Sequence, residues 1–243
     1  MRSLVFSGRC AKEILRDPLN LCFGLGFPAV LLLLLSAIQA NIPVSLFEIE
    51  HLAPGVAVFG LAFMTLFTAT LVSKDRGSDF VHRLYTTPMR AVDFLIGYTL
   101  PMIPISLGQT AFCLLFSIIF GLKFNTGCLL AVICAIPVSL LFISFGLLFG
   151  SILNDKQVGG ICGALLTNLT AWLSGVWFDL ELVGGAFRSI AYALPFVHAV
   201  ELERAAVSGT LDGALSHLFI VLAYAAVAFA AAVLVFLRRM RRV

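Results

Sequence analysis

Charge and reactive groups are scarce in this 243-residue chain, so the short segments that hold them delimit its chemistry. The densest such segment reads Ser73-Lys74-Asp75-Arg76-Gly77-Ser78-Asp79-Phe80-Val81-His82-Arg83-Leu84-Tyr85-Thr86-Thr87-Pro88-Met89-Arg90. Ser78 or Asp79 can N-cap a short helix that reaches Tyr85. Thr87-Pro88 then restarts the chain, with Thr as cap and Pro at the first helical position. A residue before proline resists the α region, so the two pieces meet at an angle. Phe80, Leu84 and Tyr85 interleave with His82 and Arg83, which gives a small charged helix suited to taking a push from a soluble partner. An ordinary loop is the other reading of the same residues.

Other chemistry is mostly excluded by what the spacing lacks. There is no G-x-x-x-x-G-K-[ST], so this chain cannot cradle nucleotide phosphates by that route. The four histidines form no H-E-x-x-H, and the six cysteines show no C-x-x-C. The cysteines lie in or near apolar stretches and read as small apolar residues. His198 and Glu201, three apart, offer half of a metal site or a hydrogen-bonded surface pair, and the pair is the expectation. We therefore expect neither catalytic residues nor a cofactor or metal of the chain's own.

The composition dictates the elements that hold these residues. The chain is 60% hydrophobic and 12% charged, with mean hydropathy +1.05. Soluble domains run nearer 45–50% apolar and about 25% charged, which excludes a soluble enzyme, a secreted disulfide scaffold and a coiled coil. A helix needs about 20 apolar residues to cross a core about 30 Å thick. Six stretches free of Asp, Glu, Lys and Arg qualify: residues 19–47, 52–73, 94–122, 124–154, 157–178 and 213–237. A seventh, 182–200, carries Arg188 at its centre and Pro195 near its end, and mid-bilayer Arg is costly. It reads as a broken, re-entrant or interfacial helix pair. The expected fold is an all-α membrane protein with six transmembrane helices.

Charge then sets the threading. With both ends cytoplasmic, inner segments hold 13 of the 16 basic residues against six acidic ones, and outer segments hold three against seven. The net +3 thus divides into +7 inside and −4 outside, the asymmetry that orients helices. The basic residues sit at span ends without stacking aromatics on one face, so no nucleic-acid partner is expected. Ahead of the first span, Arg2, Arg9, Lys12, Glu13, Arg16 and Asp17 fall within a sector of about 140°. Leu4, Ala11, Ile14 and Leu15 lie on the other side, while Val5 and Phe6 interrupt the polar one. This is an amphipathic helix expected on inner-leaflet lipid headgroups, ended by Asp17-Pro18. The mixed charges before a long apolar run argue for a signal anchor rather than a cleaved leader.

Within the spans, Pro101, Pro104 and Pro137 are expected to kink helices. Gly146-x-x-x-Gly150 and Gly159-x-x-x-Gly163 permit close helix approach. The candidates for lining a path are Gln109, Asn168, Thr170 and Trp172. The spans hold no Asp, Glu, Lys or Arg, which argues against an ion-coupled carrier, where buried ionisable groups do the coupling. If the chain moves a substrate, its energy comes from another subunit.

These features together resemble the ABC-2-type permeases, the membrane subunits of small bacterial ABC exporters. The resemblance covers essentially the whole chain, 1–243, as one transmembrane domain. It rests on the amphipathic start (1–18), Pro54-Gly55 opening the second span, and the 74–90 segment with Phe80-Val81-His82-Arg83-Leu84-Tyr85-Thr86-Thr87-Pro88. Later come Leu173-Ser174-Gly175-Val176-Trp177-Phe178, then Ala193-Leu194-Pro195-Phe196-Val197-His198-Ala199-Val200, with Arg204 following. Two positions depart: Asp79 stands where relatives carry a glycine, and Asp179 where they carry a proline. The resemblance implies a multi-pass protein of the cytoplasmic membrane that pairs with a second permease, homo- or heterodimeric. It implies that a cytoplasmic ATPase, which binds the ATP and Mg, docks on Asp79, Phe80, His82, Arg83, Leu84, Tyr85, Thr86, Thr87 and Pro88. It also implies extracellular re-entrant helices within 179–212. The expected activity is outward export of an amphipathic or hydrophobic substrate, such as a drug, a natural product or a lipid-like molecule. A lipid-linked glycan exporter of the same family, an ATPase-independent carrier or channel, and a non-transporting membrane anchor are the alternatives.

Overall fold

A computed structural model describes residues 2–41, 47–78, 91–210 and 213–240, and among them the chain is helical with no strand. Helix α1, Arg2–Arg16, ends at Asp17 as the following proline requires. Its buried residues Phe6, Cys10 and Ile14 recur every four positions, while Leu4, Val5 and Leu15 are exposed. Phe6, which breaks the polar sector in sequence, is what anchors the helix. Its ring meets Phe94 edge-on at 5.8 Å and Tyr98 at 4.8 Å.

α2 (Pro18–Leu21), a π-helical segment (Cys22–Gly26) and α3 (Phe27–Asn41) follow as one run. Next come α4 (Ile49–Arg76), α5 (Ala91–Ile118) and α6 (Thr126–Ile152). Helices α5 and α6 continue unbroken through Pro101, Pro104 and Pro137. α7 (Asp155–Val158), a second π-helical segment (Gly159–Leu166) and α8 (Thr167–Leu173) form another run. Then α9 (Leu180–Val183), α10 (Gly185–Ala193) and α11 (Pro195–Ser208) precede α12 (Ala214–Met240).

Five helical runs among the described residues are long and apolar enough to cross a membrane: Cys22–Asn41, Ile49–Arg76, Val92–Ile118, Thr126–Ile152 and Ala214–Arg238. The helical stretch expected over 157–178 instead stops at Leu173. Gly175 there takes φ +70°, a left-handed conformation that ends a right-handed helix. The break expected within 182–200 falls at Leu194, whose backbone is extended (φ −102°, ψ 156°) ahead of Pro195 at the first position of α11.

α4 is the axis of the molecule. Its most apolar window is 89% buried, against 22% for the Cys22–Asn41 and Ala214–Arg238 runs, which therefore lie at the periphery. α4 packs on α5, α6 and α11, and α12 packs on α6. The Gly146-x-x-x-Gly150 seam is internal to the chain. A Cβ on Gly146 would sit 2.8 Å from the Thr65 carbonyl oxygen, and one on Gly150 2.8 Å from that of Ala69. The other pair is different, since Gly159 faces open space and Gly163 meets only Leu66 at 3.4 Å.

Candidate functional site

Asp79, Phe80, His82, Arg83, Leu84, Tyr85, Thr86, Thr87 and Pro88 lie outside the described residues. The helices that enter and leave that segment, α4 and α5, are described, and both are tied down on its side of the molecule. Arg9 of α1 grips Asp75 with both guanidinium nitrogens, Nη1 to Oδ2 and Nη2 to Oδ1, each at 2.6 Å. Tyr98 of α5 donates its hydroxyl to the same Oδ2 at 3.0 Å. Asp75 is only 3% exposed, so a bidentate cation and a phenol answer a carboxylate that would otherwise be buried unpaired. The pair raises the Arg9 pKa above its already high ordinary value, chiefly through the hydrogen bond to Asp75. Glu13 holds Arg9 from the other side at 2.9 Å. Next along α4, Arg76 donates to the carbonyl oxygens of Ser151 and of Leu153, the latter at 2.5 Å. One turn of α4 thus connects α1, α5 and the end of α6.

The four path candidates do not form one lining. Gln109 is 2% exposed and faces α4, its Nε2 donating to the Ala57 carbonyl and to Cys113 Sγ, both at 3.3 Å. Its Oε1 has no hydrogen-bond partner among the described residues. Gly60 makes room for the amide, since a Cβ there would overlap Nε2. Thr170 turns inward and donates to the Leu166 carbonyl at 2.9 Å. Asn168 and Trp172, four residues apart on α8, face outward instead, and Trp172 is 56% exposed.

At the opposite end from Asp75, α11 is the organiser. His198 does not pair with Glu201. Its Nε2 donates to the Tyr192 carbonyl at 3.0 Å, which leaves Nδ1 as acceptor for the Nδ1–H of His217 on α12 at 2.8 Å. Glu201 instead accepts from Arg204 at 2.9 Å. Arg204 also donates to the carbonyl oxygens of Gly175 (3.1 Å) and His51 (3.3 Å), joining α11 to the turn after α8 and to the start of α4. A cavity of about 490 Å³ opens here among Glu50, His51, Lys123, Glu201, Arg204 and His217. Among the described residues, no three His, Cys, Asp or Glu side chains converge as a metal ion needs. Asp179, at the departure noted above, N-caps α9 by accepting from the Glu181 N–H at 2.9 Å.

Two important carboxylates escaped sequence reasoning. Asp75 read as one inner-face charge among several in the 73–90 segment, and nothing in the sequence singled it out. Glu203 counts in sequence only among the seven acidic residues of the outer segments, yet it is 1% exposed and neither of its oxygens has a partner among the described residues. Burial drives its pKa well above the ordinary carboxylate range.

Comparison with known proteins gives one family. The ABC-2 type transporter family model matches residues 4–207, from the first turn of α1 to the last turn of α11. No curated protein matches the chain. A match over that span, on an all-helical chain with several membrane-length apolar helices, has one consequence: the chain belongs to the ABC-2 type transporter family and is the membrane permease component of an ABC transporter.

Proposed function

We propose that this permease is half of an ATP-driven exporter that moves an amphipathic or hydrophobic molecule, drug-like or lipid-like, out of the cell. The reading takes 1–243 as one domain of six spans, with the run from Asp155 to Leu173 as the fifth and both termini in the cytoplasm. α1 lies along the inner leaflet of the cytoplasmic membrane, and α10 with α11 form the extracellular re-entrant pair. A second permease completes the path, and a separate cytoplasmic ATPase holds ATP and Mg and docks on 79–88.

Family membership supports the ATPase partner and the pairing in general terms. The observation that carries the mechanical part is the bracing of the docking segment's flanks. Just before it, Asp75 and Arg76 bind α1, α5 and the end of α6. A displacement delivered to 79–88 cannot then be absorbed at the root of α4, and moves the buried central helix with it. Uncharged span interiors suit a cargo that is itself largely apolar.

The test is reconstitution with the ATPase that co-purifies. Arg83→Glu and Leu84→Asp are expected to leave membrane insertion and basal ATP hydrolysis intact while transport per ATP falls at least tenfold. Transport at the normal rate with both changes present refutes the docking assignment, and transport that survives ATP depletion refutes the ATP-driven reading.

A further inference from the structure

A second cavity, about 450 Å³, lies between α1, the first π-helical segment, α4 and α5. Ile14, Leu25, Met64, Phe67 and Phe112 line it, and among the described residues its only polar lining side chains are those of Asn20 and Gln109, with no charged one. Part of the space exists because α5 carries Gly108 at the wall, where an added Cβ would meet nothing within 4 Å. The volume suits a drug-sized molecule.

Gln109 makes the cavity selective. Its Nε2 is committed to α4, whereas Oε1 is buried and has no partner. A buried acceptor left unmade is costly, and an occupant that supplies a donor recovers that cost. The surroundings narrow the occupant further. An ion would enter without a counter-charge. Water would find too few polar partners in so apolar a space. A plain acyl chain would fill the volume and leave the oxygen unpaired. The oxygen is covered in this arrangement, so seating a donor requires a turn of the terminal amide about its soft last torsion, which gives up the two long 3.3 Å contacts of Nε2 in exchange.

We propose that this cavity is a lateral intramembrane binding site for a neutral, apolar small molecule bearing one O–H or N–H donor, accepted by Gln109. The site deepens the exporter reading by naming a ligand class, and it rests on that reading only for the ligand being cargo. Binding itself needs no ATPase and is tested without one.

The experiment uses the full chain in phosphatidylcholine nanodiscs with a matched pair of photoprobes, a trifluoromethyl-diazirinyl benzyl alcohol and its methyl ether, with crosslinks located by mass spectrometry. The alcohol is expected to label the Met64–Phe67 and Ile105–Phe112 regions about tenfold more than the ether. Gln109→Leu abolishes that preference. Gly108→Leu, which fills the cavity, lowers labelling by both probes about tenfold and tests the site even if the Gln109 variant does not fold. Equal labelling by alcohol and ether in the wild type overturns the proposal, as does a preference that survives Gln109→Leu or labelling undiminished by Gly108→Leu. If labelling behaves as expected but ATP-driven transport is absent, the site stands and the exporter reading falls.

Discussion

Replacing Asp75 by Asn tests whether α1 is held to the transmembrane core by the Arg9–Asp75–Tyr98 contact. An exposed ion pair is worth about 0–1 kcal/mol, and breaking a fully buried one costs about 3–5 kcal/mol. This pair is intermediate, since Asp75 is 3% exposed while Arg9 is 37% exposed and keeps Glu13 at 2.9 Å as an alternative. The neutral amide also retains a weaker bond to Tyr98. We therefore expect a loss of about 2 kcal/mol in the docking of α1, which at about 1.4 kcal/mol per tenfold raises the undocked population about 30-fold. Cys10 reports that population. It lies fully buried on the inward face of α1, and burial pushes its thiol pKa up to about 12, so it reacts with maleimide only when the helix lifts away. Labelling is followed by mass spectrometry, with exposed Cys22 as the internal reference. Cys10 is expected to react about 30-fold faster in Asp75→Asn and about fivefold faster in Tyr98→Phe, which loses a single hydrogen bond. Arg9→Met combined with Asp75→Asn should add little to either alone. A Cys10 rate within threefold of wild type in Asp75→Asn would show that apolar contacts, Phe6 foremost, hold α1 unaided.

Three further outcomes follow from the packing. Gly146→Leu places a Cβ 2.6 Å from that of Thr68 and forces α4 from α6, so we expect a loss of about 3 kcal/mol and collapse of the monodisperse peak in size-exclusion chromatography, whereas Gly159→Ala, facing open space, leaves it unchanged. Glu203→Gln removes a carboxylate whose folded-state pKa is raised, and the native protein therefore loses stability as pH rises from the ordinary carboxylate value through the raised one. The variant should melt above wild type at pH 8 and with it near pH 4; an equal difference at both values would refute protonation as the cause. Asp179→Ala deletes the α9 cap at a cost of about 1 kcal/mol, read as about fivefold faster hydrogen exchange at Leu180–Val183 with the global melting temperature nearly unchanged.

Much of the architecture was legible because membrane insertion is governed by local, additive properties. The apolar runs, the end of α1 at Asp17-Pro18 and the break within 182–200 each depend on a few consecutive residues. The points that were missed depend on which face meets what. The polar sector of α1 was interrupted by Phe6, and the interruption turned out to be the contact. Gly146 and Gly150 permit close helix approach by their spacing, and only the position of α4 shows which helix approaches. The fifth uncharged stretch extends to Phe178, yet Gly175 ends the helix earlier, and an absence of charge does not register φ. The His198–Glu201 pair was a fair inference from spacing, but a partner from another helix, His217, lay closer.

By itself, the amino-acid sequence determined that this chain lives in a membrane, that it is helical, and that its 243 residues carry no G-x-x-x-x-G-K-[ST] motif. Composition, apolar run length and the missing motif suffice for each, because none depends on contacts between distant residues. Only the tertiary structure decided that Asp75 is shared by α1 and α5 across 66 and 23 residues, that Gln109 is left with an unpaired oxygen beside an apolar cavity, and that Glu203 is buried alone. A side chain's environment is set by whichever helices pack around it, and that is a property of the assembled bundle rather than of any stretch of the chain.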